Sequence, residues 1–198
     1  MKQGLIFSVV LLLSTLIIAV IPTEAEARIY EDTVRLHILA NSNSEKDQDL
    51  KLEIRDRIID KYGAFFKKAE NAEGAVIIGK SLLCEIEKDC ESWINDLGYN
   101  YSVSVTLTEE WYDTRIYESF TLPSGIYSSL RIIIGEGNGQ NWWCVMYPPL
   151  CTDIALEKAP MDDCITGYDD REISLIKNDG YNVKFKSLEL LSKVFCKK

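Results

Sequence analysis

Apolar and polar residues alternate along several stretches of the chain, and a strict alternation is typical of a half-buried β-strand. Alternation or a short apolar run predicts strands at Val34–Ala40, Tyr101–Thr108, Arg115–Leu122, Leu130–Ile134, Trp142–Tyr147 and Tyr181–Phe185. Leu130–Ile134 is almost wholly apolar, so we expect it to be a central strand that is buried on both faces. We expect Arg115–Leu122 to be the antiparallel neighbour of Tyr101–Thr108.

Helical spacing of apolar residues covers two long stretches between the first two predicted strands. The first runs from Glu45 to about Glu70, with an apolar stripe made of Leu50, Ile54, Ile58, Tyr62 and Phe65. The second runs from about Glu73 to Leu97, and Gly98 follows it as a C-terminal stop. A short helix is expected at Ser187–Phe195, after an irregular acidic loop at Cys151–Asp170. The pattern predicts a single α+β domain with a mostly antiparallel sheet packed with two long helices.

The first 27 residues have the features of an export signal. Lys2 precedes Leu5–Ile21, an apolar run of 17 residues, and Ala25-Glu26-Ala27 fits the small-x-small site of signal peptidase. We expect residues 1–27 to be a signal peptide cleaved after Ala27, and residues 28–198 to form the domain. Because a bilayer-spanning helix needs about 20 residues, an uncleaved anchor is the alternative.

The formal net charge of −9 limits the classes of partner. An acidic surface repels phosphate groups, so we do not expect nucleic acid as a partner. The same charge disfavours adhesion to anionic lipid, so we expect membrane contact only through the N-terminal segment, if it stays uncleaved.

The most unusual stretch runs from Gly135 to Cys144 and contains three alternate glycines followed by Trp142 and Trp143. A phosphate-binding loop must open into a helix, whereas this stretch continues into extended sequence, so we do not expect a nucleotide site. We expect a strand-to-strand loop with positive φ at several glycines. Consecutive strand residues point to opposite faces, so the two tryptophans are expected to separate. Core packing of both, or a partner contact by one, stays open.

Candidate catalytic and metal-binding groups are few. Cys144 with His37, the only histidine, would be a thiol couple, and Glu136 with another acid would suit a wall hydrolase, although no spacing selects that acid. No Cys-x-x-Cys motif is present and there is only one histidine, so we predict no metal site. We also predict no cofactor and no catalytic residue. Cys144 and Cys151 flank Pro148-Pro149 and could pair if the prolines reverse the chain. Cys84 and Cys90 would point apart on one helix.

Two segments of the chain resemble the signatures of the stage II sporulation protein R family. The first comprises Arg35–Ser44 with Asp47-Gln48, Leu50-Lys51 and Arg55-Asp56, and the second comprises Pro123–Tyr127, Leu130–Ile132, Ile134–Gly137, Gly139–Val145 and Pro148–Cys151. The resemblance implies a non-enzymatic protein that is made in the forespore and exported into the space between two membranes. It also implies a partner there, a membrane-embedded aspartic protease that processes the pro-form of mother-cell sigma factor E.

Contact activation is the mechanism that the resemblance favours, because loops on a rigid scaffold commonly bind partners. The candidate surface that binds the outward-facing domain of the protease includes Asn41, Ser42, Gly135, Glu136, Gly137, Gly139, Asn141, Trp142 and Trp143. The alternatives are an exported hydrolase or thiol enzyme acting at the cell wall, and a structural interaction domain of the cell surface.

Overall fold

The structure is a computed structural model that describes residues 2–20, 23–117, 120–150 and 167–177. The chain forms two compact units, one of residues 1–28, 111–125 and 170–198 and the other of residues 29–110 and 126–169. The predicted strand Tyr181–Phe185, the predicted helix Ser187–Phe195 and most of the loop Cys151–Asp170 lie outside the described residues.

The described helices and strands follow one another in an order close to the predicted one. They are α1 (Lys2–Val20), α2 (Glu24–Glu31), β1 (Val34–Leu39), α3 (Glu45–Lys67), α4 (Ala72–Asp96), β2 (Val103–Tyr112), β3 (Arg115–Ile116), β4 (Thr121–Leu122), β5 (Gly125–Ile134), β6 (Asn141–Tyr147) and α5 (Asp170–Ile176). Helix α5 begins at Asp170, the last residue of the stretch that the sequence predicts as an irregular loop.

Four strands form the main sheet in the order β2-β5-β1-β6. Strand β1 pairs in parallel with β5 and antiparallel with β6. The Gly135 N–H donates to the Ser102 carbonyl at 2.8 Å, which sets the end of β5 beside the start of β2, as in an antiparallel pair. The predicted α+β class is confirmed, the sheet is mixed, and the apolar stretch Leu130–Ile134 is an interior strand.

Helix α3 buries most of the stripe that its sequence predicts, and α4 buries the middle of its own stripe, whereas Leu97 at the end is 38% exposed. Leu50, Ile54, Ile58 and Tyr62 are at most 3% exposed along α3, and Ile86, Cys90 and Ile94 are fully buried along α4. The stripe of α3 ends on Phe66, which is fully buried, and not on Phe65, which is 43% exposed. Both helices pack on the sheet, where Gly79 of α4 lies against Phe66 and Leu107.

The ends of both long helices are capped by local hydrogen bonds. Ser44 has extended φ and ψ, and its hydroxyl accepts from the Asp47 N–H, as an N-cap residue does. Asn71 caps α4 in the same way through the Gly74 N–H. Gly98 follows α4 with a φ of 84°, which only glycine adopts without strain, so the predicted stop is confirmed.

The prediction that Arg115–Leu122 is the antiparallel neighbour of β2 is wrong. The segment instead folds on itself, because β3 pairs with β4 in a two-stranded sheet of its own. The Tyr117 N–H donates to the Phe120 carbonyl at 2.8 Å, and the two rings stack at 4.4 Å. The place beside β2 is taken by β5, which offers a longer apolar strand.

Thr23 and Glu26 start helix α2 with a capping box. The Glu26 N–H donates to the Thr23 hydroxyl at 3.3 Å, while the Glu26 carboxylate accepts from the Thr23 N–H. Within the described part of the chain, no helix combines the length and apolar character needed to cross a membrane. The predicted boundary at residues 27 and 28 stays a prediction.

We predict that Ile54→Ala lowers the free energy of unfolding by about 2–5 kcal/mol, because Ile54 is fully buried and its loss leaves a cavity. Leu52→Ala on the same helix is the control, since Leu52 is 36% exposed and should change stability by about 0.5 kcal/mol or less. Urea unfolding followed by tryptophan fluorescence measures both. Equal losses in the two variants would contradict the buried stripe of α3.

Candidate functional site

Two loops that are about 90 residues apart in the sequence lie against each other at one end of the sheet. One loop, residues 40–44, joins β1 to α3, and the other, residues 135–140, joins β5 to β6. We call them the loop pair. They meet because β1 pairs in parallel with β5, so both strands end at the same edge of the sheet.

Three glycines of the second loop each meet a separate steric requirement. Gly135 and Gly137 have φ values of 58° and 63°, so positive φ is confirmed at two of the predicted positions. A Cβ on Gly135 would overlap the Asn41 side chain. A Cβ on Gly139 would lie 2.7 Å from the Ser42 carbonyl carbon, which is backbone and cannot rotate away. The glycines therefore allow the two loops to touch.

The backbone N–H groups of residues 136–139 in the second loop are engaged in hydrogen bonds within the protein. Those of Asn138 and Gly139 donate to the carbonyls of Asn41 and Ala40, at 3.1 and 2.9 Å. The Glu136 N–H donates to Asn41 Oδ1 at 3.1 Å, and the Gly137 N–H donates to the Ile134 carbonyl at 3.2 Å. Anion-binding loops work by offering free N–H groups to the ligand. Because these are engaged, the loop is not built to cradle a phosphate.

Asp47, in the first turn of α3, is the acceptor that fixes the first loop. Its carboxylate accepts from Asn41 Nδ2 at 2.9 Å, Ser42 Oγ at 2.5 Å and the Tyr101 hydroxyl at 3.0 Å. The Ser42 hydrogen bond lowers the pKa of Asp47, with help from Asn41, Tyr101 and Ser44 and against the effect of burial. The side chain therefore stays ionised and buried, at 4% exposure.

Lys51 and Gln48 attach both loops to α3. The Lys51 ammonium donates to the Gln140 carbonyl at 3.0 Å and to Gln48 Oε1 at 2.6 Å. The Gln48 amide in turn donates to the Ser42 carbonyl at 2.8 Å. Burial, together with the positive charge of Arg55, lowers the pKa of Lys51. One turn of α3 thus holds a carbonyl from each member of the loop pair.

Trp142 and Trp143 point to opposite faces of β6, as predicted. Trp142 pairs with Ile38 on the helix-covered face, where the Arg55 guanidinium lies 5.1 Å from the centre of its ring. Trp143 pairs with His37 on the other face, and their rings stack at 5.5 Å with planes 28° apart. Both indoles are half-buried.

His37 belongs to a charged cluster behind Trp143. Its Nδ1 lies 3.1 Å from Glu110 Oε2, and Arg131 Nε lies 3.3 Å from Glu110 Oε1. Burial acts to raise the pKa of Glu110, but the hydrogen bond and charge of His37, with smaller effects of Ser129 and Arg131, hold it below the usual value. The cluster fixes the imidazole on which Trp143 rests.

The geometry of β1 and β6 separates the proposed thiol couple. Cys144 pairs with Leu36, so its side chain and that of His37 project from opposite faces of the sheet. Cys84 and Cys90 are both free, as the sequence predicts for one helix, and burial raises the pKa of Cys90 to about 12. Cys151 lies outside the described residues, so its pairing with Cys144 stays a prediction. Within the described ranges, no His, Cys, Asp and Glu side chains cluster as metal ligands would.

The sequence-predicted site residues lie close together in the structure, but some are part of the contact between the loops and others are exposed. Asn41, Ser42 and the three glycines hold the loop pair together, whereas Glu136 and Asn141 are exposed. Sequence reasoning did not select Asp47, Lys51 or Tyr101 for the site. Asp47 carried a readable signal, because an acid three residues after Ser44 is typical of the first turn of a capped helix.

The described fold is an α+β domain in which two loops are joined by hydrogen bonds. Comparison with known proteins identifies its family. The model of the family Stage II sporulation protein R matches residues 30–156, so the chain belongs to that family. It is 37% identical over 121 residues to Stage II sporulation protein R of Bacillus subtilis strain 168. The match covers 61% of this chain and 54% of that relative, so the chain spans about half the length of the curated relative. No solved structure matches the chain.

We predict that Gly139→Ala lowers the free energy of unfolding by about 1–3 kcal/mol, because the new methyl group overlaps the Ser42 backbone and separates the loops. Asn138→Ala is the control, since the Asn138 side chain is exposed and its N–H bond to Asn41 is kept. Thermal and urea unfolding of both variants provide the measurement. A Gly139→Ala protein as stable as the control would mean that the loops are not in contact.

We predict that Asp47→Asn lowers stability at pH 7 by about 1–3 kcal/mol, because an amide cannot accept from all the donors that face the carboxylate. The pKa of Asp47 is lowered on folding, so its stabilising effect is present above the unfolded pKa of about 3.9 and is lost as the pH falls through the folded pKa. The difference between the two proteins should therefore shrink in acid.

Urea unfolding between pH 7 and pH 2 tests this pH dependence, with Asp49→Asn as the matched control. Asp49 is exposed on the same helical turn, so its loss should change stability by about 0.5 kcal/mol or less. A constant difference between Asp47→Asn and the unaltered protein at every pH would refute the role given to the charge.

Proposed function

We propose that this chain is an exported signalling protein of sporulation. It activates the membrane-embedded aspartic protease that processes the pro-form of mother-cell sigma factor E. The family supplies the sporulation role, because its model matches residues 30–156. The finer steps, namely export from the forespore into the intermembrane space and activation of the protease, belong to the proposal.

The observation that carries the proposal is the contact between the two resembling segments. Asn41 of the first segment accepts from the N–H groups of Glu136 and Asn138 in the second. Two segments that are far apart in sequence are thereby united in one rigid surface. A preorganised surface is what a protein needs if binding is to favour one state of a partner, because ordering costs are met before the partner arrives.

Activation by contact requires no catalytic group in this chain. The protease would exist as an equilibrium of active and inactive states, and the loop pair would bind the active state more tightly through its outward-facing domain. A differential affinity of about 5.5 kcal/mol would take such an equilibrium from 1:99 to 99:1. The loop pair would act on the side of the membrane to which residues 1–27 direct the chain.

The alternative is an exported hydrolase or thiol enzyme at the cell wall. Its thiol form is weakened by the positions of Cys144 and His37, which project from opposite faces of the sheet. Its hydrolase form needs a second acid near Glu136, which is exposed at the tip of the loop. An activator and an enzyme can be distinguished experimentally. An enzyme converts many substrate molecules per molecule of this chain, and it does so without the protease.

We expect the pro-form of sigma factor E to be processed in a non-sporulating host when this chain is exported beside the protease. Immunoblots would follow the pro-form in cells that produce all three proteins. Export is removed by deleting residues 1–27, which should abolish processing although the domain accumulates. The reason is that the loop pair must reach the outward-facing part of the protease.

Asn95→Ala, an exposed change at the end of α4, should process as the unaltered chain does. Full processing by the chain without residues 1–27 would contradict a signal that acts across the membrane. Stable, exported chain without any processing would reject protease activation and favour the enzyme alternative. That alternative would then be tested by turnover at substoichiometric amounts in the absence of the protease.

A further inference from the structure

We propose that the loop pair binds its partner through the outward side chains of Asn138, Asn141 and Trp143. The part of the partner that these side chains contact is an extended, uncharged polypeptide segment. This inference rests on the proposed function and specifies the chemistry of the same site. It also separates the residues that touch the partner from those that hold the loops together. Asn41, Ser42 and the glycines belong to the second group.

The first argument is the direction of the hydrogen-bonding groups. The N–H groups of Glu136, Asn138 and Gly139 are engaged inside the loop pair. The side chains of Asn138, Gln140 and Asn141 are exposed, and within the described residues they make no hydrogen bond. Hydrogen bonding to a partner therefore falls to amide side chains and not to the loop backbone.

The second argument is the support behind Trp143. Its ring stacks on His37 at 5.5 Å, and His37 is fixed by Glu110 at 3.1 Å. Asn141 lies two residues before Trp143 and therefore projects from the same face of β6. Trp142 projects from the other face, where Arg55 lies over it. The part of the Trp143 ring that is exposed, backed by a fixed partner, is a preorganised contact area for an apolar side chain.

The third argument is charge. Arg131, which pairs with His37 in the sheet, is offset by Glu110 at 3.3 Å. Glu136 is the only charged residue among residues 135–143, and it is acidic. A lipid headgroup or another anion would need cations or a set of free N–H groups. The second loop carries no cation, and the N–H groups of residues 136–139 are engaged within the protein. An uncharged partner surface fits this charge pattern.

The chemistry of the amide group then points to a polypeptide main chain. A carboxamide offers one donor and one acceptor side by side, as a peptide group does, so the two can bond reciprocally. Two exposed amides beside an aromatic platform match an extended segment that presents peptide groups and an apolar side chain. Tryptophan and asparagine have these same roles in protein-binding loops of other proteins.

The test compares Asn138→Asp and Asn141→Asp with Asn95→Asp in the three-component host. Each change keeps the shape of the side chain and replaces two N–H donors by a charged oxygen. Asn95 is exposed at the end of α4, away from the loop pair in the sequence, so it controls for added charge. Affinity-tagged full-length chain, exported and purified with the detergent-solubilised protease, gives the captured fraction, and immunoblots give processing.

We expect each loop variant to reduce capture of the protease by about tenfold, as the loss of one hydrogen bond with added repulsion from peptide carbonyls implies. Asn95→Asp should not change it. Unchanged capture by both loop variants would overturn the inference, and tighter capture would overturn it in favour of a basic segment. If the unaltered chain neither captures the protease nor gives processing, the proposed function itself fails and the inference falls with it.

Discussion

The buried carboxylate of Asp47 is the constraint on which the rest of the loop pair depends. This carboxylate accepts from Asn41 and Ser42, which belong to the first loop, and from Tyr101, which lies just before β2. Asn41 connects this network to the second loop, because its side-chain and main-chain oxygens accept from N–H groups of that loop. A buried carboxylate is costly without hydrogen-bond donors, so the order of the two loops is coupled to that of Asp47.

The long helices and strands were predictable because the spacing of apolar residues within each of them indicates which face is buried. The stripe of α3 and the apolar run of β5 need no knowledge of the rest of the chain. Both were found near their predicted positions, although the stripe ends on Phe66 and β5 begins at Gly125. The pairing of Arg115–Leu122 was not predictable in this way. Strand pairing is decided by competition among all strands, and two-residue strands such as β3 and β4 carry too little pattern to reveal their partner.

The contact between the two loops was foreshadowed in the sequence, but the role of each residue in that contact was not. Glycine spacing and the tryptophans drew attention to the second loop, and the resemblance linked it to Asn41. Sequence spacing cannot say whether a residue such as Ser42 faces a partner or Asp47, because that depends on the tertiary meeting of β1 and β5. Asp47 and Lys51 both lie within the first resembling segment, and their contacts with the two loops become visible only in the structure.

Some residues of the loop pair hold the loops together, and others point outward. Loss of activity in a variant therefore has to be interpreted differently for the two groups. A substitution at Asn41 removes bonds to Asp47 and to the Glu136 N–H, so lost activity would not separate a broken scaffold from a lost contact. Asn138 and Asn141 differ, because within the described residues their side chains hold nothing together. The same contrast applies to the tryptophans, since Trp142 faces the helices and Trp143 faces away from them. Contact with a partner is therefore best assigned from the outward-facing side chains.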